Sequence, residues 1–178
     1  ASVDYLAPEY INQFKLIDDI ISKLKDNEML ILKDHPGETI MWGLVDKLRY
    51  LNNSKVIYLK TKITIDSQIY LLDGAITITG TIGGELAMSG LPTVSLKPVF
   101  YNMLTNSYYE SSIILALERL RLTKKITDSN VLEKDRVFFY DYLKTHSFVG
   151  FSYFTKEFGF SDPNFIDQFA DLIINNKF

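Results

Sequence analysis

The chain has no cysteine, which excludes disulfides, thiolate metal sites and cysteine nucleophiles. Its two histidines, His35 and His146, are too few for an ordinary zinc centre. No uninterrupted apolar run approaches the roughly 20 residues of a membrane-spanning helix. The first residues also lack the basic and apolar regions of a signal peptide, so membrane insertion is not expected. A net charge of -3, with basic residues scattered and forming no stripe, gives no general attraction to nucleic acid. There is no Asp-x-Asp pair for a metal-bound diphosphate and no G-x-S-x-G elbow for a serine hydrolase. Internal repeats, low-complexity tracts and Pro/Gly/Ser linkers are absent too.

What remains is ample for a folded domain: 178 residues, 47% of them apolar, can fill a core of two or three layers. Pro8 suits a first helical turn, and Ile11, Phe14, Ile17, Ile21 and Leu24 recur at threes and fours as one helix. Met29 to Leu32 reads as a short buried strand running into the loop Lys33-Asp34-His35-Pro36-Gly37. Met41, Leu44, Val45 and Leu48 predict a second helix, and Val56 to Leu59 the next strand. Ser67 to Leu72 suits a short helix. A strand over Ala75 to Thr79, a helix over Glu85 to Ser89 and a strand over Thr93 to Leu96 then continue the alternation. This is an α/β pattern: a Rossmann-like parallel sheet, opened by right-handed crossovers and flanked by helices.

Past Tyr101 the pattern becomes helical and aromatic-rich. One helix carries Ile113, Ile114, Leu117 and Leu120, another runs from Val131 to Leu143, and a last one starts at Ser161-Asp162-Pro163. The expected division is residues 1–105 as the sheet domain and 106–178 as a helical extension packed on it. The aromatics from Phe138 to Phe160 suit a core, with a partner domain or a membrane surface as the other uses. His146 reads as a helix-end residue, Asp18 and Asp19 as a solvated helix face, and Glu118 to Lys125 as surface.

The segment from Gly74 to Leu96, GAITITGTIGGELAMSGLPTVSL, carries the functional argument. Gly80, Thr81, Gly83 and Gly84 remove bulk between a strand and a helix start, where free backbone N–H groups can hold an anion. Thr81 suits the N-cap, and Glu85 lies in the first turn, where the helix dipole favours a carboxylate. Plain capping accounts for the same residues, and the segment alone does not choose. His35, fixed by Pro36 at a neighbouring strand end, can donate to a phosphate or be satisfied by loop backbone. Both features fall at the carboxyl ends of strands, where open α/β sheets bind their ligands, and together they favour a site.

KDHPGE, followed some forty residues on by this segment and then by KPVFY, resembles the nucleotide-binding half of bacterial capsule polysaccharide biosynthesis glycosyltransferases, including the Kdo-transferase type. The resemblance covers about Leu30 to Tyr101 and implies one half of a GT-B fold, two Rossmann-like domains facing across a cleft. It implies that Lys33 and His35 bind donor phosphate, that Thr81 and the amides of Gly80, Ile82, Gly83 and Gly84 close on the same phosphate, and that Glu85 accepts hydrogen bonds from the ribose diol. Pro36, Thr79 and Tyr101 would line the pocket. The implied ligand is a nucleotide-sugar, CMP-linked by preference, with UDP or GDP as alternatives, and no cofactor or metal. At Gly80 the family usually has serine, so one hydroxyl is missing. No catalytic base is identifiable; the resemblance puts it, with the glycan or glycolipid acceptor site, in a half preceding Ala1. The implied location is cytoplasmic, at the inner face of the membrane if the chain associates with it peripherally. A nucleotide-sugar epimerase of similar architecture and a non-catalytic interaction domain of a polysaccharide assembly complex are the rival readings.

Overall fold

The structure, a computed structural model, describes residues 7–33, 44–59 and 66–146. Two compact units divide the chain, Ala1–Leu132 and Glu133–Phe178. Among the described residues no helix is long and apolar enough to cross a membrane.

The first unit is α/β. After a 3-10 turn at Pro8–Tyr10 come helix α1 (Gln13–Lys23), strand β1 (Leu30–Lys33), helix α2 (Leu44–Leu51) and strand β2 (Val56–Leu59). A 3-10 turn at Asp66–Leu71 leads to β3 (Ala75–Thr77), α3 (Ile82–Met88) and β4 (Thr93–Ser95). A third 3-10 turn (Phe100–Met103), β5 (Ser107–Tyr109) and α4 (Ile113–Leu122) complete it. The expected helix from Pro8 is therefore split. Asn12 caps a fresh start by accepting a hydrogen bond from the Lys15 amide at 3.1 Å, which leaves Pro8 in a separate turn. Met41, placed in the second helix by its spacing, lies outside the described residues.

The described strands lie in two hydrogen-bonded ladders, β1-β2 and β3-β4-β5, each parallel within itself, where one open sheet is expected. Shared cores hold the ladders side by side. Leu30 of β1 packs against the cluster of Ile20, Val94, Leu96, Ile113, Ala116 and Leu117, which also takes in Ile76 of β3. Ile31, pointing to the other face, joins the cluster of Leu72, Leu86 and Leu91 together with Ala75 of β3. Adjacent side chains of β1 thus pack against the same two clusters as residues of β3. The chain leaves β1 through α2 towards β2, and leaves β3 through α3 towards β4 and β5.

The first unit extends past position 105, the expected boundary. β5 pairs with β4 from Thr93↔Ser107 to Ser95↔Tyr109, and α4 buries Ile113, Ala116 and Leu117 in the sheet's core. A three-residue strand with one buried side chain leaves almost no periodicity to read. Helix α5 (Ser129–His146) starts in the first unit, and its residues from Glu133 onward belong to the second, with Phe139 buried and Val137, Phe138 and Tyr140 exposed. The helix expected from Ser161 lies outside the described residues.

Two polar clamps tie the helices down. Tyr50, almost wholly buried, stacks on Phe14 and donates to the Asp18 carboxylate at 3.1 Å, while Arg49 pairs with the same carboxylate at 2.9 Å. Asp18 joins α1 to α2 and is more than a solvated face. Arg121, near the end of α4, grips Glu28 with two bonds of 2.7 Å and donates to the Lys23 carbonyl at 2.9 Å. Those bonds hold the Glu28 carboxyl far below its ordinary range, at about 2. The folded value lies below the unfolded one, so the ionised pair stabilises the fold above about pH 4.5 and ceases to do so as pH falls towards 2. Glu28→Gln is expected to lower stability by about 1–2 kcal/mol at pH 7. In urea melts across pH, the gap from wild type should close as pH falls from 4.5 to 2; a gap constant over that range would contradict the role given to the ion pair.

Candidate functional site

The β3 strand ends at Thr77 and the chain turns through Ile78 to Thr81 into α3, so this turn lies at the carboxyl edge of the ladder. Thr81 takes the expected N-cap place. Its backbone is already helical (φ -61°, ψ -24°), outside the extended range in which a cap hydroxyl reaches the next turn, and its side chain makes no cap bond. The exposed hydroxyl is left facing solvent.

The amides of the turn divide into two sets. Gly80 donates to Thr77 Oγ1 at 3.0 Å, Gly83 to the Gly80 carbonyl at 3.1 Å and Gly84 to the Thr81 carbonyl at 2.9 Å. Those three are engaged within the protein. The Thr81 and Ile82 amides have no acceptor among the described residues. Of the five residues Gly80 to Gly84, two therefore offer open N–H groups.

The glycines answer to Tyr101. Its fully buried ring folds back over the turn, and its hydroxyl donates to the Gly80 carbonyl at 2.7 Å. A Cβ on Gly83 would come within 2.5 Å of the Tyr101 hydroxyl, and one on Gly84 within 3.1 Å of the ring. The glycine pair thus makes room for an aromatic ring on the inner side. At Gly80, a Cβ would sit 2.9 Å from Thr77 Oγ1, the acceptor of that residue's own amide. The same contact gives glycine, where the resembling family has serine, a local physical reason. Burial pushes the Tyr101 phenol up to about 12, so it remains a neutral donor through the physiological range.

Tyr101 is held by a network the sequence did not announce. Asn102 accepts from the Val99 amide at 2.8 Å and donates to Ser107 Oγ at 3.2 Å, and it bonds Ser95 Oγ as well. Ser95 and Ser107 are themselves buried at the ends of β4 and β5. The loop after β4 is thereby fixed against the sheet, and with it the ring over the glycines. Two serines at strand ends, Ser95 and Ser107, with Asn102 between them, are the signal that could have pointed to it.

The other expected residues fall as follows. Glu85 is exposed in the first turn of α3, and its carbonyl accepts from Ser89 Oγ at 3.0 Å. Thr79 is half-buried in the turn, and Lys33 is half-buried at the carboxyl end of β1. His35 and Pro36 lie outside the described residues. The structure brings together Gly80, Thr81, Ile82, Gly83, Gly84, Glu85 and Tyr101. At the end of β4, Lys97 pairs with Glu9, which holds the Glu9 carboxyl below its ordinary range and raises the lysine. Among the described residues no group of three or more His, Asp and Glu side chains is placed to hold a metal ion.

What the arrangement offers chemically is small and definite: two amides and one hydroxyl without a partner among the described residues, and an exposed first-turn carboxylate, on a glycine turn at the carboxyl end of β3. Comparison with protein-family models, with curated proteins and with solved structures gave no match.

Proposed function

We propose that this chain is the donor-nucleotide half of a GT-B glycosyltransferase acting in capsule or other surface polysaccharide synthesis, with a CMP-linked sugar as donor. The observation that carries the reading is the pair of open amides at Thr81 and Ile82, at the carboxyl edge of a parallel sheet. A phosphate seated there would accept from both amides and from the Thr81 hydroxyl. Lys33 and His35 would add positive charge from the end of β1, and Glu85 would take the ribose diol.

In this reading the half-site stabilises the departing phosphate as the anomeric bond breaks, through fixed donors that need no rearrangement. The base that takes the acceptor proton belongs to a facing half. The proposed location is cytoplasmic. A second reading, an interaction domain with a purely structural turn, draws on the engagement of the Gly80, Gly83 and Gly84 amides and on the ring packing of Tyr101.

Thr81→Pro separates the two. The substitution fits the native φ of -61° and removes an N–H that has no protein acceptor among the described residues, so the fold should tolerate it. In calorimetric titration with CMP, the loss of two charge-assisted hydrogen bonds, from the Thr81 amide and the Thr81 hydroxyl, should weaken binding about a hundredfold or more. A wild-type protein that takes up no CMP, UMP or GMP would support the interaction-domain reading instead.

A further inference from the structure

The Thr81 N–H and the Gly80 carbonyl belong to one peptide unit, and a trans peptide points the two in opposite directions. The Gly80 carbonyl turns inward, where it accepts from the Tyr101 hydroxyl at 2.7 Å and from the Gly83 amide at 3.1 Å. The Thr81 N–H therefore turns outward, and no acceptor meets it among the described residues. Tyr101 has 0% of its surface exposed, so it can act on the outer side of the turn only through this peptide.

Three features serve that contact. Gly83 and Gly84 lack side chains where a Cβ would lie 2.5 Å from the hydroxyl and 3.1 Å from the ring. Asn102, bonded to the Val99 amide and to Ser107 Oγ, fixes the loop that carries the ring. Burial keeps the phenol neutral, so it has a proton to give the carbonyl throughout the physiological range.

Two bonds on one carbonyl do more than orient it. Each draws electron density from the nitrogen of the same peptide and makes its N–H a stronger donor, the cooperative effect of hydrogen bonds in a chain. The next peptide supplies a comparison. The Ile82 N–H is open as well, and the carbonyl of its peptide, that of Thr81, accepts from the Gly84 amide at 2.9 Å and the Glu85 amide at 3.4 Å, with no part played by Tyr101.

We propose that Tyr101 is a positioning residue for the Thr81 amide: its hydroxyl aims this donor outward and strengthens it, without touching what the donor binds. The effect on nucleotide affinity rests on the reading given above; the effect on the peptide does not.

Tyr101→Phe tests both effects. In amide-resolved NMR of the free protein, the Thr81 nitrogen should move upfield as the Gly80 carbonyl loses the phenol, and the Ile82 nitrogen should move much less. Scalar coupling across the hydrogen bond from the Gly83 amide to the Gly80 carbonyl should persist, showing that the turn keeps its form. In calorimetric titration the variant should bind CMP about three- to tenfold more weakly than the wild type. Nitrogen shifts at Thr81 and Ile82 that change alike, or not at all, would overturn the proposal. Loss of the Gly83 coupling would overturn it too, by making the role of the hydroxyl purely structural, as would unchanged CMP affinity in Tyr101→Phe where Thr81→Pro binds poorly. A wild type that takes up no CMP would defeat the nucleotide reading alone, with the shift comparison still deciding the role of Tyr101.

Discussion

Gly90→Ala is expected to remove about 3 kcal/mol of stability, a large share of the roughly 5–15 kcal/mol that holds a domain of this kind folded. Two penalties combine. Gly90 has φ +87°, the only positive-φ glycine among the described residues, and a side chain in that region costs about 1–2 kcal/mol. An added Cβ would also lie 2.2 Å from the Ile126 carbonyl oxygen, so the backbone itself must move, at a further cost of about 1–3 kcal/mol.

The site resists that movement because it closes α3. The Leu91 amide bonds the Leu86 carbonyl at 3.0 Å and the Gly90 amide the Ala87 carbonyl at 2.9 Å, while Leu86 and Leu91 pack together, as in a Schellman helix end. The Gly90 carbonyl then accepts from the Ile126 amide at 2.9 Å and from the buried Asn106 at 2.6 Å. A urea melt should show the midpoint falling with an unchanged slope. Gly90→Asn discriminates between the two penalties. It tolerates the left-handed backbone but still carries a Cβ, so it should lose nearly as much as alanine if the Ile126 contact dominates.

Gly83→Ala should cost about 2–3 kcal/mol, because its Cβ would fall 2.5 Å from the Tyr101 hydroxyl and 2.9 Å from Thr77 Cγ2, both in packed surroundings. Tyr101→Phe alone should cost only about 1 kcal/mol, since the Gly80 carbonyl keeps its bond from the Gly83 amide. Combined, the two should be less damaging than their sum, as the phenylalanine removes the atom that the alanine meets first. A double-mutant cycle measures this directly. Additivity within about 0.5 kcal/mol would mean that the ring does not explain the glycine, and that the inner face of the turn is open for a ligand after all.

The second strand, Val56–Leu59, forms over the residues its β-branched run predicts, and the β3-α3-β4 series appears in the expected order with shorter strands. Those elements were legible because local pattern and tertiary burial agree. Less legible was anything set by distant contacts. Nothing in the local sequence says that Tyr101 returns to Gly83 and Gly84, so a glycine pair formed for ring packing reads as phosphate space. Asp18 reads as surface because its partners, Tyr50 and Arg49, lie on another helix. The Ser107–Tyr109 strand is too short to announce itself, and its pairing with β4 moves the first unit's end well past residue 105. The glycine turn lies where its position along the chain puts it, at the carboxyl end of β3. Which amides stay open depends on Thr77 Oγ1 and on the helical backbone of Thr81, and only three-dimensional geometry reveals that.

Amide-resolved NMR during a CMP titration tests most sharply whether the Thr81 and Ile82 amides receive a nucleotide phosphate. If they do, saturable shifts should be largest at Thr81 and Ile82, with smaller movements at the internally bonded Gly80, Gly83 and Gly84. No saturable shift at millimolar nucleotide, or shifts confined to other segments, would contradict it.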